Sequence, residues 1–218
     1  MRLTLDERDH LFVLIGHNAP ARFRRSGHVS PTLMRVLDRL DDSPALVVTD
    51  MADTLAMNPL AIALLGDQTR PHSQLRSSGG TPIADLARSA YYRWFMDPAE
   101  RLVYPEEDHE RHGRAQAARL RVALTAGSDP PRAARILAEL QEHSAEFVRL
   151  WELQEVAQRY DESKTVVHPE LGRIEVDGQV LFTENRAQIL VVLTTRPGTE
   201  SHSKLELLSV IGHQQLTP

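Results

Sequence analysis

The feature that most constrains the fold of this chain is a change in the spacing of its apolar residues. Two short β-rich segments, 45–49 and 54–57, come first. They are followed by a long stretch, 83–157, in which apolar residues recur at helical spacing. From 165 to 194 the pattern alternates or is β-branched, which predicts about three antiparallel strands. Because helices must cover a single sheet, this order predicts an α+β fold with a large helical insertion between the second and third strands.

Local signals mark two helix starts. Ser30 precedes Pro31, and Asn58 precedes Pro59. A capping side chain followed by proline in the first turn is typical of a helix N-terminus. Gly66 is placed to end the second helix in a left-handed conformation.

Further along the chain, the apolar spacing predicts single helices over 83–95, 105–126 and 144–156, and a last helix over 205–211. The dipeptide Asp177-Gly178 predicts a hairpin turn that divides two short strands.

Composition and charge exclude several classes of function. The 218-residue chain is 41% hydrophobic, which is enough for one core. Its formal net charge of -5 argues against nucleic-acid binding through a basic face. The absence of cysteine excludes disulfides, thiolate zinc sites and cysteine nucleophiles, and is compatible with the cytoplasm, where we expect the protein. No apolar stretch is long enough for a membrane span.

Four segments carry a resemblance to a known family. Residues 47–67, VVTDMADTLAMNPLAIALLGD, place a strand, a turn, a second strand and an Asn-Pro helix start in succession, which resembles the start of a PAS sensory domain. The segments 91–104 (YYRWFMDPAERLVY), 118–156 and 166–177 (VVHPELGRIEVD) are similar to the ligand-binding half of MmyB-like transcription regulators. The resemblance covers roughly residues 30–195.

The resemblance implies one half of a two-part regulator. This family joins an N-terminal helix-turn-helix domain, which binds DNA, to a C-terminal PAS-like domain. We therefore expect residues 1–29 to form a helix and linker that follow a helix-turn-helix domain absent from this sequence. Residues 30–218 are expected to form the PAS-like ligand-binding domain, in a homodimer that meets DNA only through the absent domain. Gln154 and His109 depart from the family pattern, which often has His and Trp there.

The resemblance also implies a ligand. Members of this family are expected to hold a long acyl chain, such as a fatty acid, and no cofactor. Such a ligand needs an apolar tunnel, since each buried methylene contributes about 0.8 kcal/mol, and a partner for its carboxylate. The residues expected to contact it are apolar or aromatic, completed by two arginines and an asparagine: Met57, Asn58, Leu64, Tyr91, Arg93, Trp94, Phe95, Arg121, Phe147 and Trp151.

Arg121 is the first candidate for the carboxylate partner, because it lies on an otherwise Ala/Leu helix face. Arg93 is the second, and the Asn58 amide can also donate. Arg121, Asn58 and the apolar stripe of the last long helix also have ordinary structural interpretations. Arg121 can pair with a surface glutamate, the main role of Asn58 is to cap its helix, and the apolar stripe at 144–156 is more often core than pocket.

Two alternatives remain open. The first is a dimerisation or interaction module with a filled core and no ligand. The second is a metal-dependent enzyme, since His109 and His112 lie three residues apart on one helical face and can bind a metal. No third ligand is implied, and no nucleophile, phosphate loop or carboxylate pair accompanies them. The resemblance implies a sensory domain, and we expect no catalytic residues.

Overall fold

One antiparallel sheet organises the chain. The structure, a computed structural model, describes residues 27–70, 84–126, 129–156, 163–183 and 188–214, together with Leu11 and Leu14. The strands are β1 (Ala45–Thr49), β2 (Thr54–Met57), β3 (Ser163–His168), β4 (Gly172–Phe182) and β5 (Gln188–Thr194). Their order across the sheet is β2-β1-β5-β4-β3, and each neighbouring pair is antiparallel.

Helices cover this sheet and fill the stretch between β2 and β3. They are α1 (Pro31–Leu37), α2 (Pro59–Leu65), α3 (Ala84–Ala87), α4 (Ala90–Met96), α5 (His109–Ala126), α6 (Pro130–His143), α7 (Ala145–Trp151) and α8 (Glu200–Gln214), with 3-10 turns at Pro98–Arg101 and Glu106–Asp108. In chain order, α2 to α7 come between β2 and β3. The predicted α+β class is confirmed. The predicted N-terminal helix and linker, 1–29, lie almost entirely outside the described residues.

Both predicted helix starts are confirmed by their cap geometry. The Ser30 hydroxyl accepts a hydrogen bond from the Leu33 amide at 3.2 Å. The Asn58 side chain accepts one from the Ala61 amide at 2.8 Å. Gly66 ends α2 with a φ of 76° and a ψ of 163°. It therefore uses the positive φ that glycine tolerates, but its ψ lies outside the left-handed helical region that was predicted.

The hairpin turn predicted at Asp177-Gly178 is wrong, because β4 runs straight through these residues. Asp177 pairs with Ser163 of β3 on one side and with Thr194 of β5 on the other. Residues before it pair with β3 and residues after it pair with β5. The strand therefore changes partner where the sequence suggested a turn, and pairing with both neighbours outweighs the local turn propensity.

Four predicted helices also have different limits, and the one predicted over 105–126 becomes an α-helix at His109, after a 3-10 turn. The single helix predicted over 83–95 is interrupted at Ser89, whose hydroxyl donates to the Met51 carbonyl at 2.6 Å. Its neighbour Ala90 donates its amide to the Ala52 carbonyl, so contacts with the β1–β2 turn replace helical bonds there. The helix predicted over 144–156 ends at Trp151, and α8 is longer than the predicted 205–211.

Different helices cover the two faces of the sheet. On the outer face, Ala45, Val47 and Leu190 pack against Leu37 of α1. The opposite, inner face packs partly against α2 and α8, through clusters that include Leu64. Helices α4 to α7, together with α3 and the β1–β2 turn, enclose a further apolar cluster, which we call the helical core; its members include Tyr92, Leu120, Ile136, Leu140 and Phe147.

A buried ion pair fastens the helical core to the sheet. The Arg132 guanidinium of α6 donates twice to the Asp53 carboxylate in the β1–β2 turn, with both distances 2.7 Å. Both residues are buried, so the pair fixes the position of α6 over the turn. None of the described helices is long and apolar enough to cross a membrane.

Candidate functional site

A cavity of about 180 Å³ lies between the inner face of the sheet and helices α4 and α5. A water molecule needs only about 10–15 Å³ on a comparable scale, so there is room for a ligand of several heavy atoms. Four strands supply an aliphatic floor, which includes Val48, Val166, Val176, Val180, Ile189 and Val191. Each comes from the inner face of its strand.

The strand register explains why this floor is continuous. Val48 pairs with Ile189, and Val180 pairs with Val191, so apolar side chains from adjacent strands lie side by side. Because side chains alternate between the two faces, one face carries the whole row. Gly178 also lines the cavity, and its lack of a side chain leaves space that a larger residue would occupy.

The helical side of the cavity is more polar than the floor. Tyr91 of α4 lines it and donates its hydroxyl to the Asp50 carbonyl at 3.1 Å. Tyr104 and Gln116 also line it, and the Tyr104 ring lies 4.5 Å from the His112 ring, centroid to centroid. Desolvation raises the pKa of Tyr104 to about 12. Its hydroxyl is therefore a neutral hydrogen-bonding group at physiological pH.

Two cationic side chains reach the same cavity, Arg119 from α5 and Lys164 from β3. Their charges also act on His112 beside it. Burial is the main cause that lowers the pKa of His112 to about 4, and the positive charges of Lys164, Arg111 and Arg119 add to it, while Asp108 opposes. His112 is thus neutral at pH 7, and Arg119 and Lys164 are the cations of the cavity wall. An apolar floor with cations at its wall suits an apolar molecule that ends in an acid.

Of the ten residues predicted to contact a ligand, Tyr91 lines this cavity. Two others are close to its floor. Leu64 packs in a cluster with Val166, which also lines the cavity. Met57 pairs in register with Leu46, a further lining residue of β1. The inner face of the sheet thus brings these three predictions together.

The structure places four predicted aromatic residues among the helices instead. Phe147 is fully buried in the helical core, 5.0 Å from the Phe95 ring and 5.3 Å from the Trp151 ring, centroid to centroid. Trp94 is buried, and its ring centroid lies 5.8 Å from that of Tyr104. Because Tyr104 lines the cavity and Trp94 does not, Trp94 lies behind the cavity wall. None of these four lines the described cavity. The helical insertion is large enough to need its own core, and aromatic side chains fill it.

The two predicted arginines are engaged in helix packing. Arg121 donates to the carbonyl of Trp151, the last residue of α7, at 2.6 Å and to that of Glu155, beyond the helix, at 2.5 Å. Its guanidinium also lies 3.9 Å from the centre of the Trp151 ring. Arg93 forms a buried ion pair with Glu100 at 2.8 Å. Neither lines the described apolar cavity.

Asn58 is used fully by the backbone around it. Its side-chain oxygen accepts from the amides of Ala61 and Ala45, at 2.8 and 3.0 Å. Its side-chain nitrogen donates to the carbonyls of Leu40 and Ser43, at 2.7 and 2.8 Å. The cap role that the sequence suggested is the one the structure shows, extended by three further bonds.

Sequence reasoning missed the floor of the cavity and both of its cations. The signal was present in the alternation of the later strands, because every second residue of β4 and β5 faces the same side. Lys164 precedes the apolar run of β3 at an inward position, two residues before Val166.

The two histidines considered for a metal site have different surroundings. The His109 Nε2 atom lies 3.2 and 3.0 Å from the carbonyl oxygens of Arg101 and Tyr104. The His112 Nε2 atom is buried without a hydrogen-bond partner in the described structure. Within the described ranges, no group of three or more His, Asp or Glu side chains is arranged to hold a metal ion.

Comparison with known protein families gives a match over residues 29–208, to the MmyB-like transcription regulator ligand binding domain. The chain belongs to this family. The resemblance predicted from the sequence is therefore confirmed, and the family is one of regulator domains and not of enzymes. The match runs from just before α1 into α8, so the MmyB-like region contains all five strands and the whole cavity wall. A search of curated proteins gave no match.

Proposed function

We propose that this MmyB-like domain senses a fatty acid or a similar apolar small molecule and passes its occupancy to a DNA-binding domain attached at the N-terminus. The observation that carries the proposal is the cavity between the sheet and α4–α5, with an aliphatic floor and two cations at its wall. The alternative, an interaction module, predicts a filled core at this place. A cavity there favours the sensor.

The PAS-like description of the fold is part of this proposal. Its support is the five-stranded antiparallel sheet, with α2 to α7 between β2 and β3 in the chain. The order of apolar segments in the sequence had predicted helices at this place in the chain. This arrangement places the inserted helices over one face of the sheet, where a ligand can lie between the two layers.

The chemistry of the cavity suits an acyl chain with an acid head group. Each methylene transferred to the aliphatic floor contributes about 0.8 kcal/mol, before the cost of ordering the chain. A carboxylate that leaves water needs a cation or hydrogen-bond donors. Arg119 and Lys164 lie at the cavity wall, and we propose them as its partners in place of Arg121.

The relay would pass through β1 to α1. Leu46 and Val48 line the cavity, whereas Ala45 and Val47 of the same strand pack against α1 on the outer face. A ligand that favours one position of β1 would therefore favour one position of α1, the first helix of residues 27–70. Such a shift between two pre-existing arrangements requires only that the ligand bind one of them more tightly. Control of DNA by this route implies the cytoplasm, and dimerisation stays a prediction from the family.

The first test is mass spectrometry of the purified protein, native and after extraction into organic solvent. We expect a bound fatty acid or related lipid, or a thermal shift when acyl chains are added. Val180→Phe, which fills the cavity, should remove the ligand. Gln179→Phe places the same side chain on the neighbouring exposed position of β4 and should keep it. A protein that stays empty with every acyl chain and shows no shift would favour the interaction module.

The head-group assignment has a separate test. Arg119→Met and Lys164→Met each remove a charge and keep much of the side-chain length. Each should therefore weaken the binding of a fatty acid more than the binding of the alcohol of equal chain length. Arg121→Met should leave ligand affinity unchanged, because its guanidinium serves the end of α7. The opposite pattern, with loss only in the Arg121 variant, would refute this assignment and restore the original prediction.

A further inference from the structure

The structure contains a second cavity, of about 310 Å³, at the β2 edge of the sheet. Its polar lining comes from three arginines, two threonines and a glutamine: Arg70, Arg88, Arg93, Thr54, Thr69 and Gln68. We propose that this arginine cavity is an oxyanion site that binds a phosphate group.

Arg93 provides a cation that is fixed before any ligand arrives. Its side chain is 2% exposed and donates to both Glu100 carboxylate oxygens, at 2.8 and 3.0 Å. It also donates to the carbonyls of Ala87 and Arg88, at 3.2 and 2.6 Å. These four bonds use four of the five guanidinium N–H groups and hold the group rigidly at the cavity wall. A positioned donor loses little conformational freedom when an anion binds.

Arg88 and Arg70 provide charge that can reorient. Arg88 is an exposed residue, and no ion pair joins its guanidinium to a carboxylate of the described residues. Arg70 pairs with Asp67 at 3.0 Å, but its side chain is 86% exposed. An exposed pair of this kind is weak and can be exchanged for a ligand at small cost.

The donors and charges favour an anion with several oxygens. Guanidinium groups only donate hydrogen bonds, and the threonine hydroxyls and the glutamine amide can donate as well. Among the described residues that line this cavity there is no carboxylate. A phosphate group carries about -1.5 to -2 charges at pH 7 and three strong acceptor oxygens, so it can engage two mobile arginines and a fixed one together. Leu55 and Gly27 complete the described lining, and these described residues offer a hard metal cation no carboxylate ligand.

The arginine cavity adjoins the apolar cavity, because Thr54 and Gln68 line both. The phosphate group therefore has two possible sources: a free phosphate ion, or the head group of a molecule whose chain lies on the aliphatic floor. The second source rests on the proposed function, whereas the first does not. In either case, Thr54 and Gln68 form the wall that the two cavities share.

The test is calorimetric titration of the full chain with inorganic phosphate, in a phosphate-free buffer with ionic strength held constant by sodium chloride. We expect saturable binding that Arg88→Gln weakens by about tenfold or more, as is typical for loss of a charged hydrogen bond. Arg70→Gln should weaken it less. Arg39→Gln removes an exposed arginine outside the cavity and should have no effect. Absence of saturable binding, or equal weakening by the Arg39 and Arg88 variants, would overturn the assignment of a free phosphate site.

A second pair of titrations separates the two sources and the two proposals. A lysophosphatidate and a fatty acid of equal chain length are compared on the Arg88→Gln protein. If Arg88→Gln weakens binding of the lysophosphatidate and not of the fatty acid, the cavity binds the phosphate head group of a lipid. If Arg88→Gln changes the affinity for neither lipid nor for phosphate, while Val180→Phe abolishes binding of the fatty acid, the oxyanion site is refuted and the proposed function stands. If phosphate binds and no lipid does, the oxyanion site stands and the proposed function fails.

Discussion

Replacing Asn58 with alanine should cause a large loss of stability without changing the chemistry of the ligand cavity. The four hydrogen bonds of this side chain join three separate segments: the end of the α1 loop, the start of β1 and the start of α2. Asn58 is 4% exposed, so water cannot readily replace the lost partners.

The expected magnitude follows from those four bonds. A typical intramolecular hydrogen bond contributes about 1 kcal/mol net, and a buried group left unpaired costs about 1–3 kcal/mol. Asn58→Ala should therefore lower the free energy of unfolding by about 3–5 kcal/mol. Asn58→Ser can still cap α2, so it should recover about 1 kcal/mol of that loss. Asn58→Asp keeps both acceptor bonds but brings a carboxylate oxygen toward the carbonyl oxygens of Leu40 and Ser43, which repel it. We therefore expect the aspartate variant to be no more stable than the alanine variant.

The assay is urea unfolding followed by circular dichroism, with all variants compared at one pH. Ligand affinity is measured separately at a temperature where each variant is folded. If Asn58→Ala lowers the free energy of unfolding by less than about 1 kcal/mol, water readily replaces the four bonds and the reasoning is refuted. A fully folded Asn58 variant that no longer binds ligand would show instead that the amide contacts the ligand, as the sequence had allowed.

The remaining predictions concern the packing around the two cavities. Arg132→Met should destabilise the fold by about 3–5 kcal/mol in urea unfolding, because it leaves the Asp53 carboxylate buried and unpaired; replacing Asp53 with asparagine as well should recover part of the loss, and no recovery would mean that the pair is not the cause. Arg121→Ala should lower the free energy of unfolding by about 1–3 kcal/mol, because the bonds to the Trp151 and Glu155 carbonyls are lost, and ligand should still bind. The pKa of His112 is lowered from 6.5 to about 4 on folding, so the unfolded state binds the proton more tightly. Stability should therefore be full above about pH 6.5 and fall as the pH drops toward 4, and His112→Leu should flatten this slope; an unchanged slope would assign it to other groups.

The helix caps show what local sequence can specify. Ser30 and Asn58 each bond to an amide three residues ahead, so the signal and its partner lie within one turn. The order of strands and helices was likewise readable, because burial on one face imposes a period that each segment shows by itself. Family membership was predictable for a related reason, since the matching motifs are continuous segments.

Two of the failures involve partners that are distant in the chain. Asp177-Gly178 has the local composition of a turn. It is nevertheless extended, because β4 pairs here with β3 on one side and with β5 on the other. Ser89 interrupts a helix because the Met51 carbonyl, in the β1–β2 turn, accepts its hydroxyl. In each case the energy that decides the conformation comes from contacts that exist only after the chain has folded.

The same distinction applies to the candidate site. The sequence by itself determined that the chain has apolar helices and strands, helix starts at fixed residues, and aromatic and arginine side chains suited to a ligand. It did not determine which of these residues share a cavity. Arg121 and Arg119 lie two positions apart on α5, and therefore on different faces of the helix. Only the packing of α5 against the sheet decides that Arg119 reaches the cavity while Arg121 binds the end of α7.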